Sequence, residues 1–239
     1  MNGEKRRSAA AFLVALLLLA VVAVGADRGA AWATSRSVAT AVRLGGTGVV
    51  DADVQIHGFP FLTQLAAGSL EHVSGSLAAG SFGGYAVTDV TVDARGVSPR
   101  SPWRTSEARA TGVVAFDTLA RTASDRLDTE VTVGAAPGEP GALTLGLPVT
   151  VLGATVDVRA VVVPDVVDGA LAVQVRTVSL GGLDVPVGAL PGGLGDALGG
   201  LRIPLDLPAG VTLTGVDGEP DGVRLTIEAR DVSLGDLAR

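Results

Sequence analysis

LTLGLPVTVLGATVDVRAVV, residues 143–162, is the stretch whose reading sets the fold. Leu143, Leu145, Leu147, Val149 and Val151 take every second position, and Ala154, Val156, Val158, Ala160 and Val162 do so again. A period of two puts alternate side chains on opposite faces of an extended strand, so each run reads as a strand with one apolar face. A connection this short between two such runs means antiparallel pairing, because a parallel crossover needs a dozen residues or more.

The same alternation recurs outward in both directions. Val50, Ala52, Val54 and Ile56 alternate with Asp51, Asp53, Gln55 and His57. Val90, Val92 and Ala94 form a second set, and Ala108, Ala110, Gly112, Val114 and Phe116 a third. Leu171, Val173 and Val175 follow residue 162, and Val223, Leu225, Ile227 and Ala229 close the series. Gly, Pro and Asp cluster at 136–141, 164–165 and 217–222, where turns need their backbone preferences. Helical signals are fewer. Residues 59–65 can open a short helix with Pro60 near its first turn. Residues 117–127 read as a helix with Asp117 as N-cap and Leu119, Ala120, Ala123 and Leu127 on one face. A glycine-loosened helix is expected over 191–201, and another over 27–44. The fold class expected is α+β: a long curved antiparallel sheet with one or two helices, and no domain boundary after residue 27.

At the N-terminus, Lys5, Arg6 and Arg7 precede an uninterrupted apolar run of 18 residues, 9–26. That is the layout of a secretory signal peptide or an N-terminal membrane anchor. At about 1.5 Å rise per residue, the run just reaches the lower limit for spanning a bilayer. Val24-Gly25-Ala26 suits a signal peptidase, while an uncleaved anchor would keep its positive end in the cytoplasm. Both readings place residues 27–239 outside the cytoplasm, at the outer face of the plasma membrane or in the periplasmic space.

No cysteine is present, so disulfides, Cys-based metal sites and an acylated cysteine are excluded. Removing residues 1–26 takes away three basic groups and one acidic, leaving 15 Arg against 24 Asp plus Glu, a net charge of −9. Such a surface argues against nucleic acid and against a polybasic membrane patch.

Catalytic and metal-binding motifs are scarce. His57 and His72 are the only histidines. They can be brought to a metal with Asp51 or Asp53, but their spacing matches no ligand motif, and a hydrogen-bonded structural role fits as well. Asp51-Ala52-Asp53 resembles the paired aspartates of some transferases, yet both fall on the outward phase of a strand. No Gly-x-Ser-x-Gly occurs, and the glycines at 80–84 and 192–195 fit no phosphate loop. Neither an enzymatic activity, a metal nor a cofactor is expected.

What the strands do offer is a long Val/Leu face with little aromatic content. One reading is a sandwich core. The other is a sheet curved round an apolar groove for acyl chains. Each methylene is worth about 0.8 kcal/mol in transfer from water, so a chain of about sixteen carbons needs a groove returning on the order of 10 kcal/mol.

Residues 54–65, VQIHGFPFLTQL, followed by Gly68 and by Leu70-Glu71-His72-Val73, resemble the LmeA-like phospholipid-binding family of actinobacterial cell envelopes. Strands like 87–97, the strand-then-helix over 110–121 and the segments 207–211 and 222–225 extend the likeness over most of the outer domain. A single lysine, Lys5, amid abundant Arg, Ala, Gly, Val and Asp is the high-GC bias expected of such a source. The resemblance implies phospholipid binding, a role in maintaining lipoglycans or other envelope lipids, and a sheet wrapped on a helix as in tubular lipid-binding proteins. Lipid contact is expected at Phe59, Phe61, Leu62 and Leu65, which equally suit a plug closing the sheet. On the strand faces it is expected at Val149, Val151, Leu171 and Val173. Trp103, near Pro99 and Pro102, suits the membrane interface or packing over a sheet edge. The alternative to a lipid binder is a solid-core interaction domain in envelope assembly.

Overall fold

In the computed structural model the described residues are 2–45, 49–82, 85–100, 103–151, 154–180, 182–187, 201–203 and 207–233. Helix α1 (Asn2–Gly45) is followed by β1 (Asp53–His57), α2 (Phe61–Ala67), β2 (Leu70–Phe82), β3 (Tyr85–Val97) and β4 (Arg104–Ala115). Helix α3 (Phe116–Leu127) then leads to β5 (Thr132–Ala135), β6 (Leu143–Val151), β7 (Ala154–Val167) and β8 (Ala170–Leu180). The chain ends with β9 (Leu183–Pro186), β10 (Leu201–Ile203), β11 (Val211–Gly218) and β12 (Gly222–Ser233).

The fold is α+β and its pairing is antiparallel throughout the described strands. The strands divide into two sheets rather than one. The first has the order β1-β2-β3-β4-β12-β11, and the second β10-β8-β7-β6-β5 with β9 paired to β8. β11, an edge of the first sheet, packs on β7 and β8 of the second without pairing to them. Buried Leu143, Val162, Val216 and Val223 form the core at that junction. Phe116 and Leu119 of α3 pack on it.

Register explains the first sheet's two faces. Gly75, Val92, Ala110, Ile227 and Leu213 are neighbours across five strands, and Val73, Ala94, Ala108, Ala229 and Val211 form the next row but one. Since alternate residues share a face, both rows lie on the same apolar side. The other side carries His57, His72, Asp93, Arg109 and Glu228. There Arg109 meets Glu228 at 3.5 Å, and Thr91 meets Thr111 at 2.7 Å.

Local differences from the sequence reading have local causes. Asp117 is not the cap of α3: the helix begins one residue earlier, at Phe116, with Ala115 as N-cap and no side-chain cap. Asp117 instead lies in the first turn, favoured there by the helix dipole, 3.2 Å from Arg121 one turn on. Leu127, at the helix end, is exposed. The expected helix over 191–201 lies outside the described residues, apart from Leu201, which opens β10.

Candidate functional site

Two features stand out as sites: the segment around α2 at one end of the first sheet, and the apolar side of that sheet beside it. Gly58, at φ +92°, turns the chain out of β1 into a conformation that suits glycine. The Phe59–Pro60 peptide bond is cis. α2 then runs seven residues and stops at Gly68, whose left-handed φ of +75° lets its N–H donate back to the helix.

Pro60, the N-cap residue of α2, brings no capping side chain. The cap comes from Asp27 of α1. Its Oδ2 accepts from Phe61 N at 2.9 Å and its Oδ1 from Leu62 N at 2.8 Å. Asp27 is buried, and the paired carboxylate-to-amide bonds satisfy two donors that a helix start otherwise leaves open. Gln64 secures the other side: its Oε1 accepts from Glu71 N at 2.8 Å, fixing α2 to β2. Phe61, Leu70 and Ala31 of α1 form a small core, with Ile56, Val73 and Val97 against it.

This arrangement divides the four aromatic and aliphatic residues expected to meet lipid. Phe61 is 2% exposed and belongs to the core. Phe59 is 50% exposed, Leu62 47%, and Leu65 also faces outward. Arg28 of α1 stacks on the Phe59 ring, its Cζ 5.2 Å from the centroid. Trp103, ahead of β4, is 56% exposed rather than packed over an edge.

On the apolar side of the first sheet, α1 and α2 cover Ile56 and Val73, and the junction with the second sheet covers Leu213 and Val216. Between them Val90, Ala110 and Ile227 are half-buried, and Val92 is 39% exposed. Gly75, Ala94, Ala108, Ala110 and Ala229 keep the floor low there, because short side chains rise little above the sheet. An apolar strip of this kind is open to an aliphatic ligand. Leu171 and Val173 are half-buried and pack on the junction core. Val149 and Val151 stand in β6, opposite Val156 and Ala154, and their side chains lie outside those described.

A cavity of about 800 Å³ lies between α1 and β1, and its chemistry is polar: Arg28, Ser35, Arg36, Asp53, Gln55 and His57 line it. The arginine Arg36 stacks on Trp32 at 4.4 Å. His57 and His72 are cross-strand partners with rings stacked 4.4 Å apart. His57 Nε2 is 2.7 Å from Ser74 Oγ, and His72 Nε2 is 2.8 Å from Asp93 Oδ2. Asp93, not Asp51 or Asp53, is thus the carboxylate at the histidines. Among the described residues no three His, Asp or Glu side chains converge as metal ligands.

The hydrogen bond from His72 holds the Asp93 carboxyl below its ordinary value. A carboxyl lowered by folding adds stability above its unfolded pKa and loses it as pH falls through the folded one. Replacing His72 by Ala is therefore expected to raise the Asp93 pKa toward that of a free aspartate, read by NMR titration of its side chain. The effect on stability will be small because both partners are substantially exposed. An unmoved Asp93 titration would remove the role given to His72.

An α+β domain with two antiparallel sheets, one carrying a partly open apolar side, is the class these features define. Residues 25–228 match the family model described as LmeA-like phospholipid-binding, and the chain belongs to that family. No curated protein and no solved structure matches the chain. Its phospholipid-binding role follows from the family.

The sequence missed Asp27, the residue that organises the site. It lies 34 positions from its partner Phe61, and nothing local marks it as a cap for another helix.

Proposed function

We propose that this chain is a non-enzymatic phospholipid-binding protein of the cell envelope that shelters acyl chains on the apolar side of its first sheet. The observation that carries the reading is the strip around Val92, left half-open between α1 and the sheet junction. Phe59, Leu62 and Leu65 sit at its mouth. Leu171 and Val173, packed on the junction core, back its wall on the second-sheet side, and Val149 and Val151 of β6 are the further candidates in that sheet. Support comes also from the family, whose description names phospholipid and no reaction.

Residues 1–26 act in this reading as a signal or anchor, and 27–239 as the extracytoplasmic lipid-binding domain. The sequence supports it through the basic residues 5–7 and the apolar run behind them. Among the described residues no helix is long and apolar enough to cross a membrane. The backbone over the run is nonetheless helical, as part of α1. A role in supplying or maintaining lipoglycans or other envelope lipids fits such a position.

The test is to purify the full chain, extract it with organic solvent and identify the extract by mass spectrometry. Stoichiometric phospholipid is expected from the wild type and a large loss from Val92→Asp, whose exposed position should leave the melting temperature nearly unchanged. An extract without phospholipid, from a chain that added phospholipid does not stabilise, would overturn the reading and leave a filled-core interaction domain.

A further inference from the structure

Strand polarity gathers five large exposed apolar residues at one end of the first sheet. β1 ends and β2 begins at α2, which brings Phe59, Leu62 and Leu65 there. β3 ends and β4 begins at the same end, which brings Trp103. β12 finishes beside the start of β4, Ser233 opposite Arg104, and Leu207 precedes β11 next to it. All five are exposed. Tyr85 marks the opposite end, roughly 40 Å away along the length of β3.

α1 joins the sheet at this same end. Asp27 caps α2, Ala31 touches the Phe61 cluster, and Ala39 reaches the cavity beside Ala52 and Asp53, at the start of β1. Because α1 is one helix from Asn2, the residues before Asp27 leave the domain past the end that carries the five. Leu19, Val21, Val22 and Val24 on that stretch are exposed. Three exposed arginines frame the patch: Arg28 over Phe59, and Arg100 and Arg104 either side of Trp103. Exposed Glu71 and Asp231 and the buried Asp27 carboxylate stand nearby, so the three arginines balance the acids at this end of a domain whose net charge is −9.

We propose that this end is a membrane-docking surface. It rests on the outer leaflet of the bilayer that the N-terminal segment enters, and so depends on the anchor reading above. Phe59, Leu62, Leu65, Trp103 and Leu207 lie at headgroup depth, where an amphipathic indole is at home. Arg28, Arg100 and Arg104 meet lipid phosphates, which a guanidinium can grip through two hydrogen bonds. Docked this way, the half-open strip around Val92 lies a few residues in from the leaflet, and an acyl chain can pass onto the sheet along it without crossing water.

The chain has no cysteine, which makes single labels clean. Leu62→Cys, Trp103→Cys, Leu207→Cys and, as a reference, Tyr85→Cys are spin-labelled in the full chain and reconstituted into vesicles of phosphatidylglycerol and phosphatidylethanolamine. Collision with oxygen relative to a water-soluble nickel complex reports depth. The proposal expects this ratio to rise on reconstitution at 62, 103 and 207 and to stay at its aqueous value at 85. Labels at all four sites equally aqueous, in a chain that is vesicle-bound, overturn the surface and leave the anchor standing. Lipid exposure at 62 alone also overturns it, confining contact to α2. A chain that stays out of the vesicles overturns anchor and surface together, while co-purified phospholipid would still stand as a separate result.

Discussion

Phe61→Ala is expected to destabilise the protein by about 3–5 kcal/mol, the usual cost of deleting a buried phenyl ring and leaving part of its cavity. For a domain of this size that lowers the melting temperature by roughly 6–20 °C. The cost is large because Phe61 is the centre of the small core that joins α1, α2 and β2. Its removal loosens three elements together. Phe59→Ala, two residues away but half exposed, is expected to stay within about 1 kcal/mol of wild type, most of it the Arg28 stack. Urea unfolding of the two variants decides the matter. Equal, small effects would mean that Phe61 is not the packing centre described.

The second large effect is expected at Asp27. Removing its carboxylate in Asp27→Ala leaves the amides of Phe61 and Leu62 without their acceptor, one of them in a buried setting. Hydrogen bonds to a charged group are worth about 1.5–3 kcal/mol each, and unsatisfied buried donors cost on a similar scale. Partial access of water to Leu62 N reduces the sum, so a loss of about 2–4 kcal/mol is expected. Asp27→Asn keeps one acceptor oxygen but turns an NH₂ toward the other donor, and should recover only part of the loss. Hydrogen exchange at Phe61 and Leu62 amides gives the sharper reading: both should exchange faster in Asp27→Ala, while amides in β7 stay protected. Unchanged exchange at 61 and 62 would break the link between α1 and α2.

Strands with a strong apolar period were legible before any coordinates. The alternations at 143–151, 154–162 and 223–229 became strands, and the one at 50–57 did so from Asp53, because one face of each is packed and a period of two follows. β2 was not legible in the same way. Its sequence, LEHVSGSLAAGSF, alternates, but Gly75 and Ala79 stand where larger apolar residues would have marked the face. Gly75 belongs to the low floor of the apolar strip, so one feature that hid the strand also opens the site. β11 was obscured by an irregularity between Leu213 and Gly215 that shifts the alternation midway. That the strands split into two sheets was also out of reach, since alternation says which face is apolar and not which strands pair. At the site, the apolar cluster after β1 was readable from its composition. Which of its members turns inward was not: Phe59 and Phe61 differ only in which side of the Asp27 cap they fall.

Asp27 also directly follows Val24-Gly25-Ala26, the segment that the sequence reading offers to a signal peptidase. A chain cut there would begin on the very side chain that holds α2. Its new ammonium would sit beside its own carboxylate and compete with the two amides for the same oxygens. The helical turns that now precede Asp27 would be gone, and first residues of a helix fray. Uncut, the long helix holds the carboxylate still and the carboxylate holds α2. Once cut, that order reverses, and two hydrogen bonds must keep the amino terminus itself in place.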